Sequence, residues 1–388
     1  MDAKAAVQKR LESVRTRIID LSHRIHANPE DGFAEKKAAA WCSGMLAEEG
    51  FEVQRGICNL PTAFSAKAGK GSLHLCICAE YDALPDIGHA CGHNIIAAAA
   101  VGAGIAASIV AEDVGMTITV IGTPAEENGD TGGKILLLEG GAFAGMHAAM
   151  MIHPAPFDVL TPRVIAATMF DVRYTGKEAH ASAFPEMGIN AADALTVAQT
   201  AIGLLRQHVL PTTRIHGIIT HGGDAPNVVP AHTSARYIVR GDTLAELEDL
   251  RPRVYRCFEA GAHATGCTME IIGGEKPYSE MIHDRDLAAC FKHNSEILGR
   301  YYPEIGAHQQ NVVASTDMGN VSLVIPSIQP MIGIGSFPAV NHQREFTAHC
   351  VTEAADQALY DGALAMAWTA VDLATDVKIR GRLLQDKR

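Results

Sequence analysis

A chain of 388 residues is longer than one hydrophobic core usually organises, and 47% apolar residues with 36 glycines and 5% aromatics describe an α/β protein, which excludes disordered and fibrous classes. The formal charge of -12 is spread without long acidic runs, so nucleic acid and anionic membrane are disfavoured as partners. Nine cysteines without CxxC spacing, and an N-terminal segment lacking the apolar stretch of a signal peptide, predict a reduced, cytoplasmic protein.

Apolar residues at helical spacing (Val7, Leu11, Val14, Ile18, Leu21, Ile25) predict a helix over 2–28, and the pattern repeats over 38–49 until Gly50 ends it. Strand character follows at 51–57, 73–79, 116–121 and 148–152, with a helical stretch at 131–138 between the last two. The uncharged run 95–111 falls short of the ~20 strongly apolar residues that a membrane span needs, so it reads as a helix buried in a core. This alternation predicts a mainly parallel sheet covered by helices.

After about residue 163 the texture changes. Strands at 166–174, 214–220 and 234–240, separated by helices at 191–206 and 244–262, predict a small α+β domain of β-α-β-β-α-β order, ferredoxin-like and inserted into the first. The expected domains are therefore 1–163 with 281–388, and 164–280. A core strand at 331–334 and a long helix at 354–375 complete the reading.

The densest set of ligand-type side chains is His89, Cys91 and His93 in GHACGHN, where alternation in an extended loop would put all three on one side and a following helix N-terminus would favour a thiolate. Alone, it reads equally as a buried cysteine flanked by structural histidines. A second cluster, Glu126 and Glu127 in GTPAEENGD, follows a predicted strand; in an extended segment the two carboxylates diverge, one for a metal and one for its bound water. His153 in MIHPAP closes another apolar run, and strand ends are where open α/β sheets place their sites.

Taken together, the segments LSHRIHANPEDGFAE, AEYDALPDIGHACGHN, GTPAEENGDTGGK, MIHPAP, GKEAHASAFPEMGINAADA, GGDAPNVVPAH and STDMGN resemble, in order and over nearly the whole chain, the amidohydrolase branch of the M20 metallopeptidase family. That branch includes aminoacylase-like, indole-acetyl-amino-acid and aminobenzoyl-glutamate hydrolases. The resemblance implies a zinc-peptidase-like catalytic domain with an inserted lid and dimerisation domain. It makes Cys91, His93, Glu127, His153 and His342 the metal ligands, with Cys91 bridging two ions, Glu126 the base and His349 the alternative to His342. His89 and Asp82 would stand behind the ligands. In the insert, His180 matches a histidine that reaches across a dimer interface to the scissile carbonyl oxygen, and Asn227 and Arg240 match the pair that receives the substrate carboxylate, with Arg236 a competitor.

The implied activity is hydrolysis of the amide bond of an N-acyl amino acid or a dipeptide-like substrate with a free carboxylate, by a homodimer holding one or two divalent ions. Zinc, manganese and cobalt all suit a site with both Cys91 and Glu127. An M20-type dipeptidase or an aminobenzoyl-glutamate hydrolase is the alternative, and a catalytically silent metal-containing binding protein or a cysteine-nucleophile hydrolase is the competing class. Two positions depart from the family's commonest pattern. Asn94 stands where GHD has an aspartate, as in the subgroup resembling aminobenzoyl-glutamate hydrolases and mammalian-type dipeptidases, which would weaken a second metal, and Gln343 replaces the usual threonine after His342.

Overall fold

The computed structural model describes residues 2–303 and 313–386. The chain divides into two compact units, one of residues 1–128, 132–163 and 281–388, the other of 129–131 and 164–280.

The first unit opens with helices α1 (Ala3–His26) and α2 (Lys36–Glu48). All six apolar residues that predicted α1 are buried, and Asp2 caps it by accepting from the amides of Lys4 and Ala5. Strands β1 (Glu52–Arg55), β2 (Phe64–Ala68) and β3 (Leu73–Ala79) follow, then helix α3 (His93–Ser108), strand β4 (Met116–Gly122), helix α4 (Gly133–Glu139) and strands β5 (Ala148–Met150) and β6 (His153–Ala155). The sheet order is β1-β2-β4-β3-β5 with a late two-residue strand, Ser327–Ile328, at the far edge. Pairings from β4 through β3 and β5 to that strand are parallel, whereas β1, β2 and β4 pair antiparallel.

The run 95–111 forms the centre of this unit. Every residue of α3 from His93 to Ala107 is buried, and no helix among the described residues is long and apolar enough to cross a membrane. Its small side chains permit close packing on two sides: a Cβ added at Gly104 would collide with Val120 Cγ2 of the sheet, and one at Gly102 would lie 3.0 Å from Ile18 Cδ1 of α1.

Two expectations need adjustment. The stretch 148–152 is not one strand: β5 ends at Met150, and the chain starts again at His153 as β6, which pairs in parallel with the strand at Met331–Gly333 in a separate two-stranded sheet. The stretch 51–57 is cut to four residues because Gly56, Cys58 and Asn59 all take positive φ.

The second unit runs β7 (Ala166–Thr175), α5 (Ala191–Leu205), β8 (Arg214–His221), β9 (His232–Gly241), α6 (Leu244–Thr265) and β10 (Thr268–Gly273). Its sheet is antiparallel in the order β10-β7-β9-β8, the arrangement of a ferredoxin-like fold. Alternation sorts its faces. Phe170, Tyr237 and Val239 are buried in a core with Phe258 of α6, while Asp171, Arg236 and Arg240 lie on the opposite side of the sheet.

The chain then returns to the first unit with α7 (Arg285–Ile297), α8 (Met318–Ser322), strands β11 (Ser327–Ile328) and β12 (Met331–Gly333), and helices α9 (Arg344–His349), α10 (Glu353–Thr375) and α11 (Val377–Gln385). Helix α10 packs on α1 and α3, and Lys4 Nζ ties the start of α1 to Asn294 and Asp372, each at 2.7 Å.

Candidate metal centre

Because β3 pairs in parallel with β4 and with β5, the loops after all three strands leave the sheet at one edge. The loop after β3 carries Glu80, Asp82 and Cys91 and delivers His93 as the first residue of α3; Gly92, at φ 78°, makes the turn into the helix. A single turn of 3-10 helix after β4 holds Glu126 and Glu127, and His153 begins β6 just beyond β5. The loop before α9 brings His342, whose amide donates to Ala90 O at 2.9 Å, while Asn341 Nδ2 donates to Pro154 O at 3.0 Å.

These residues form two donor groups that share one sulfur. Cys91, His93 and His153 offer atoms within 4.8 Å of one another, and so do Cys91, Glu127 and His342. Cys91 Sγ is 3.4 Å from His153 Nε2, and His342 Nε2 is 3.4 Å from Glu127 Oε1. His349 belongs to neither group.

The residues behind the donors set their protonation. His93 Nδ1 donates to Asp82 Oδ1 at 2.9 Å, and His153 Nδ1 donates to Pro154 O at 2.9 Å, so each imidazole turns Nε2 towards the shared space. Asp82 Oδ2 also accepts from the amide of Glu127 at 2.9 Å, which ties two of the three loops together. Burial pushes the Cys91 thiol up, and the nearby Glu127 carboxylate adds to that. Burial alone would lower His93, but Asp82 outweighs it and leaves its pKa well above the usual histidine range. Burial also favours the neutral form of Glu127, yet His342 and His93 hold it down to about 2. Glu126 is pushed well up by burial and by the charges of Glu80 and Glu127.

This arrangement fits a divalent cation. His93 Nε2 and Glu80 Oε2 are buried without a hydrogen-bond partner, and a thiol, two imidazoles and several carboxylates meet where protein cations are few. A cation at this point would displace the proton that burial favours on Cys91 and the one that Asp82 favours on His93.

Several sequence expectations change at this point. GHACGHN is a turn leading into a helix, so His89 does not line up with Cys91 and His93. It lies 6.1 Å from His26, centroid to centroid, and is outside both donor groups. Glu126 and Glu127 diverge from a 3-10 turn, with Ala125 at φ 58°, and not from an extended strand. Asn94 is buried with its amide donating to Ser22 Oγ (2.9 Å) and Cys350 O (3.1 Å), so it braces α3 against α1 and the end of α9. Glu80, Lys134 and Asp317 were not singled out from the sequence, although each lies inside a quoted motif. Lys134 Nζ is 2.5 Å from both carboxylates, and Glu80 forms a third donor group with His93 and Glu126.

In the second unit, His180 Nδ1 accepts from the amides of Ser182 and Ala183, at 3.3 and 3.2 Å, which leaves Nε2 as the N–H donor of the ring. Asn227 O accepts from the amide of Ala181 at 3.0 Å, so His180 and Asn227 sit on adjoining segments. Arg236 is held by Asp171 through two bonds of 2.7 and 2.9 Å, whereas Arg240 Nε donates to His216 Nε2 at 3.3 Å. The competitor for the carboxylate role is thus already paired.

Comparison with known proteins gives the following. Residues 166–265 match the M20 family described as a peptidase dimerisation domain. The chain is 37% identical over 385 residues to a Xaa-Arg dipeptidase of Mus musculus, covering 95% of this chain and 88% of that protein. It is 32% identical over 281 residues to a p-aminobenzoyl-glutamate hydrolase polypeptide of Escherichia coli, covering 67% and 58% of the two chains. An aminobenzoyl-glutamate utilization protein from Klebsiella pneumoniae shares the fold with a TM-score of 0.72 at 18% identity over 92% of this chain and 98% of that one. A Bacillus subtilis protein described as a dinuclear metal-binding peptidase of the M20 family does so with a TM-score of 0.62 at 20% identity over 91% and 98%.

Replacing Asn94 by alanine strands Ser22 Oγ and Cys350 O in the core, and the expected cost is about 1–3 kcal/mol of stability in urea denaturation. Metal stoichiometry should not change. Loss of one bound ion from a folded Asn94→Ala protein would instead return Asn94 to the metal site.

Proposed function

This chain belongs to the M20 family of metal-dependent amide hydrolases, and from that premise we propose that it cleaves the amide bond of a dipeptide or N-acyl amino acid with a free carboxylate. The observation that carries the reading is the pair of donor groups sharing Cys91, with the Glu126 carboxylate beside them. In this reading Cys91, His93 and His153 would hold one divalent ion, and Cys91, Glu127 and His342 would hold another. Zinc, manganese and cobalt all suit the mixed thiolate, imidazole and carboxylate set. When bound, such ions polarise the scissile carbonyl and acidify a water.

The chain's own residues do the rest. Glu126 takes the proton from the attacking water and returns it to the departing amine; its raised affinity for a proton, set by burial and by Glu80 and Glu127, suits a group that must hold that proton between the two steps. The Nε2–H of His180, supplied by a second copy of the chain, donates to the carbonyl oxygen as it gains charge, and the ring is already in the tautomer for it. Arg240 and Asn227 receive the substrate carboxylate. Arg240 suits this better than Arg236, which Asp171 engages with both of its oxygens. The first unit is thus the catalytic domain and the second the lid and dimerisation domain. Nine free cysteines support a reducing, cytoplasmic setting.

Strand β8 is the physical support for the dimer. It is an edge strand of eight residues on which Ile218 and Ile219 are 64% and 50% exposed, and an open apolar edge of this kind invites pairing with another strand.

Two tests follow. Glu126→Gln keeps the shape and the ligands, so it should bind metal with wild-type stoichiometry while kcat on a dipeptide or N-acyl amino acid panel drops ~10²–10⁴-fold. Wild-type turnover in that variant would remove Glu126 from the base role. Sedimentation of the wild-type protein should give a dimer, and Ile218→Lys with Ile219→Lys should give an inactive monomer; a monomer with full activity would contradict the trans role of His180.

A further inference from the structure

Glu80, Lys134 and Asp317 have no part in the steps above, and all three are fully buried. Lys134 Nζ donates to Glu80 Oε1 and to Asp317 Oδ1 at 2.5 Å each, and the amide of Lys134 donates to Asp317 Oδ2 at 2.8 Å. Two glycines allow this approach. A Cβ on Gly132 would lie 2.5 Å from Asp317 Oδ2, and one on Gly133 would collide with Pro124 O. The lysine is thereby pinned by two carboxylates and by its own backbone.

That clamp fixes the orientation of Glu80. With Oε1 on the lysine, Oε2 faces His93 Nε2 at 3.5 Å, and both of these buried atoms lack a hydrogen-bond partner. His93 donates its Nδ1–H to Asp82, so its Nε2 and a carboxylate oxygen converge on one buried point, where a proton or a cation reconciles them. Charge balance agrees. One lysine stands between two carboxylates, so Lys134 alone does not balance the Glu80 oxygen directed at His93.

We propose that Glu80 contributes a carboxylate oxygen to the cation held by Cys91, His93 and His153, and that Lys134, clamped by Asp317, is the positioning residue that aims it. The inference rests on the metal-hydrolase reading above and adds a donor to it. Lys134 touches neither substrate nor ion and acts only through Glu80.

The test is a cobalt titration of metal-free wild-type, Glu80→Gln, Lys134→Met and double-variant proteins, reading the number of ions, their affinities by chelator competition, and the visible absorption of bound cobalt. The wild type should bind two ions. Each single variant should weaken one of them ~10–100-fold and alter its absorption, leaving the other unchanged. The double variant should lose no more than the singles, since both act through one carboxylate. Unchanged affinity and absorption in folded Glu80→Gln would overturn the proposal even if Lys134→Met failed to fold. A folded Lys134→Met protein with a native cobalt spectrum would overturn the positioning role. A wild type that binds no cation would overturn both this inference and the hydrolase reading, whereas two ions bound equally well by wild type and Glu80→Gln would overturn this inference alone.

Discussion

Because β3 pairs in parallel with both β4 and β5, three chain segments leave the sheet at one edge, and Cys91, Glu126, Glu127 and His153 have to share it. Parallel pairing needs long crossover connections, and here α3 lies between β3 and β4 and α4 between β4 and β5. The small side chains of α3 let it pack against Val120 on one side and Ile18 on the other, and its N-terminus is where His93 enters the site. Packing and chemistry thus depend on the same helix. The poly-alanine run that resembles a membrane segment in the sequence is the element that positions a ligand.

The edge so formed buries more carboxyl groups than lysines. Glu80, Asp82, Glu126 and Asp317 are buried together with a single lysine, and Glu127 adds a further, nearly buried carboxylate. Burying unpaired charge is expensive, and a fold would not retain such a set without something to balance it. Burial, with the neighbouring Glu80 and Glu127, raises the proton affinity of Glu126, and Asp82 keeps a proton on His93. A bound cation would therefore do more than chemistry at this edge, because it would also balance carboxyl groups buried there.

What could be read in the sequence divides along physical lines. Helix α1 was legible because its six apolar residues keep a helical period, and β3 because six of its seven residues are apolar and a glycine-rich turn precedes them. Strand β2 was missed: it is five residues long, with Lys67 breaking its apolar run, and it pairs antiparallel beside an edge strand. Strand β6 was missed because it is three residues long with a proline at its centre. Of the chemistry, ligand-type residues announced themselves, since Cys, His and paired Glu are scarce. Their local geometry did not. GHACGHN looks extended and is a turn into a helix, and only the left-handed Gly92 and the capture of Asn94 by Ser22 reveal this. Glu80, Lys134 and Asp317 were invisible to pattern reading, because single charged residues are assigned to the surface unless a partner is known, and their partners lie 54 and 183 residues away.

The central claim is that Cys91 is shared by two divalent ions. Anomalous diffraction from crystals of the zinc-loaded protein tests it most directly. The account predicts two peaks, both within thiolate bonding distance of Cys91 Sγ, about 2.3 Å, one also on His93 and His153 and the other on Glu127 and His342. A single ion, or a pair of ions neither of which touches Cys91, would contradict it.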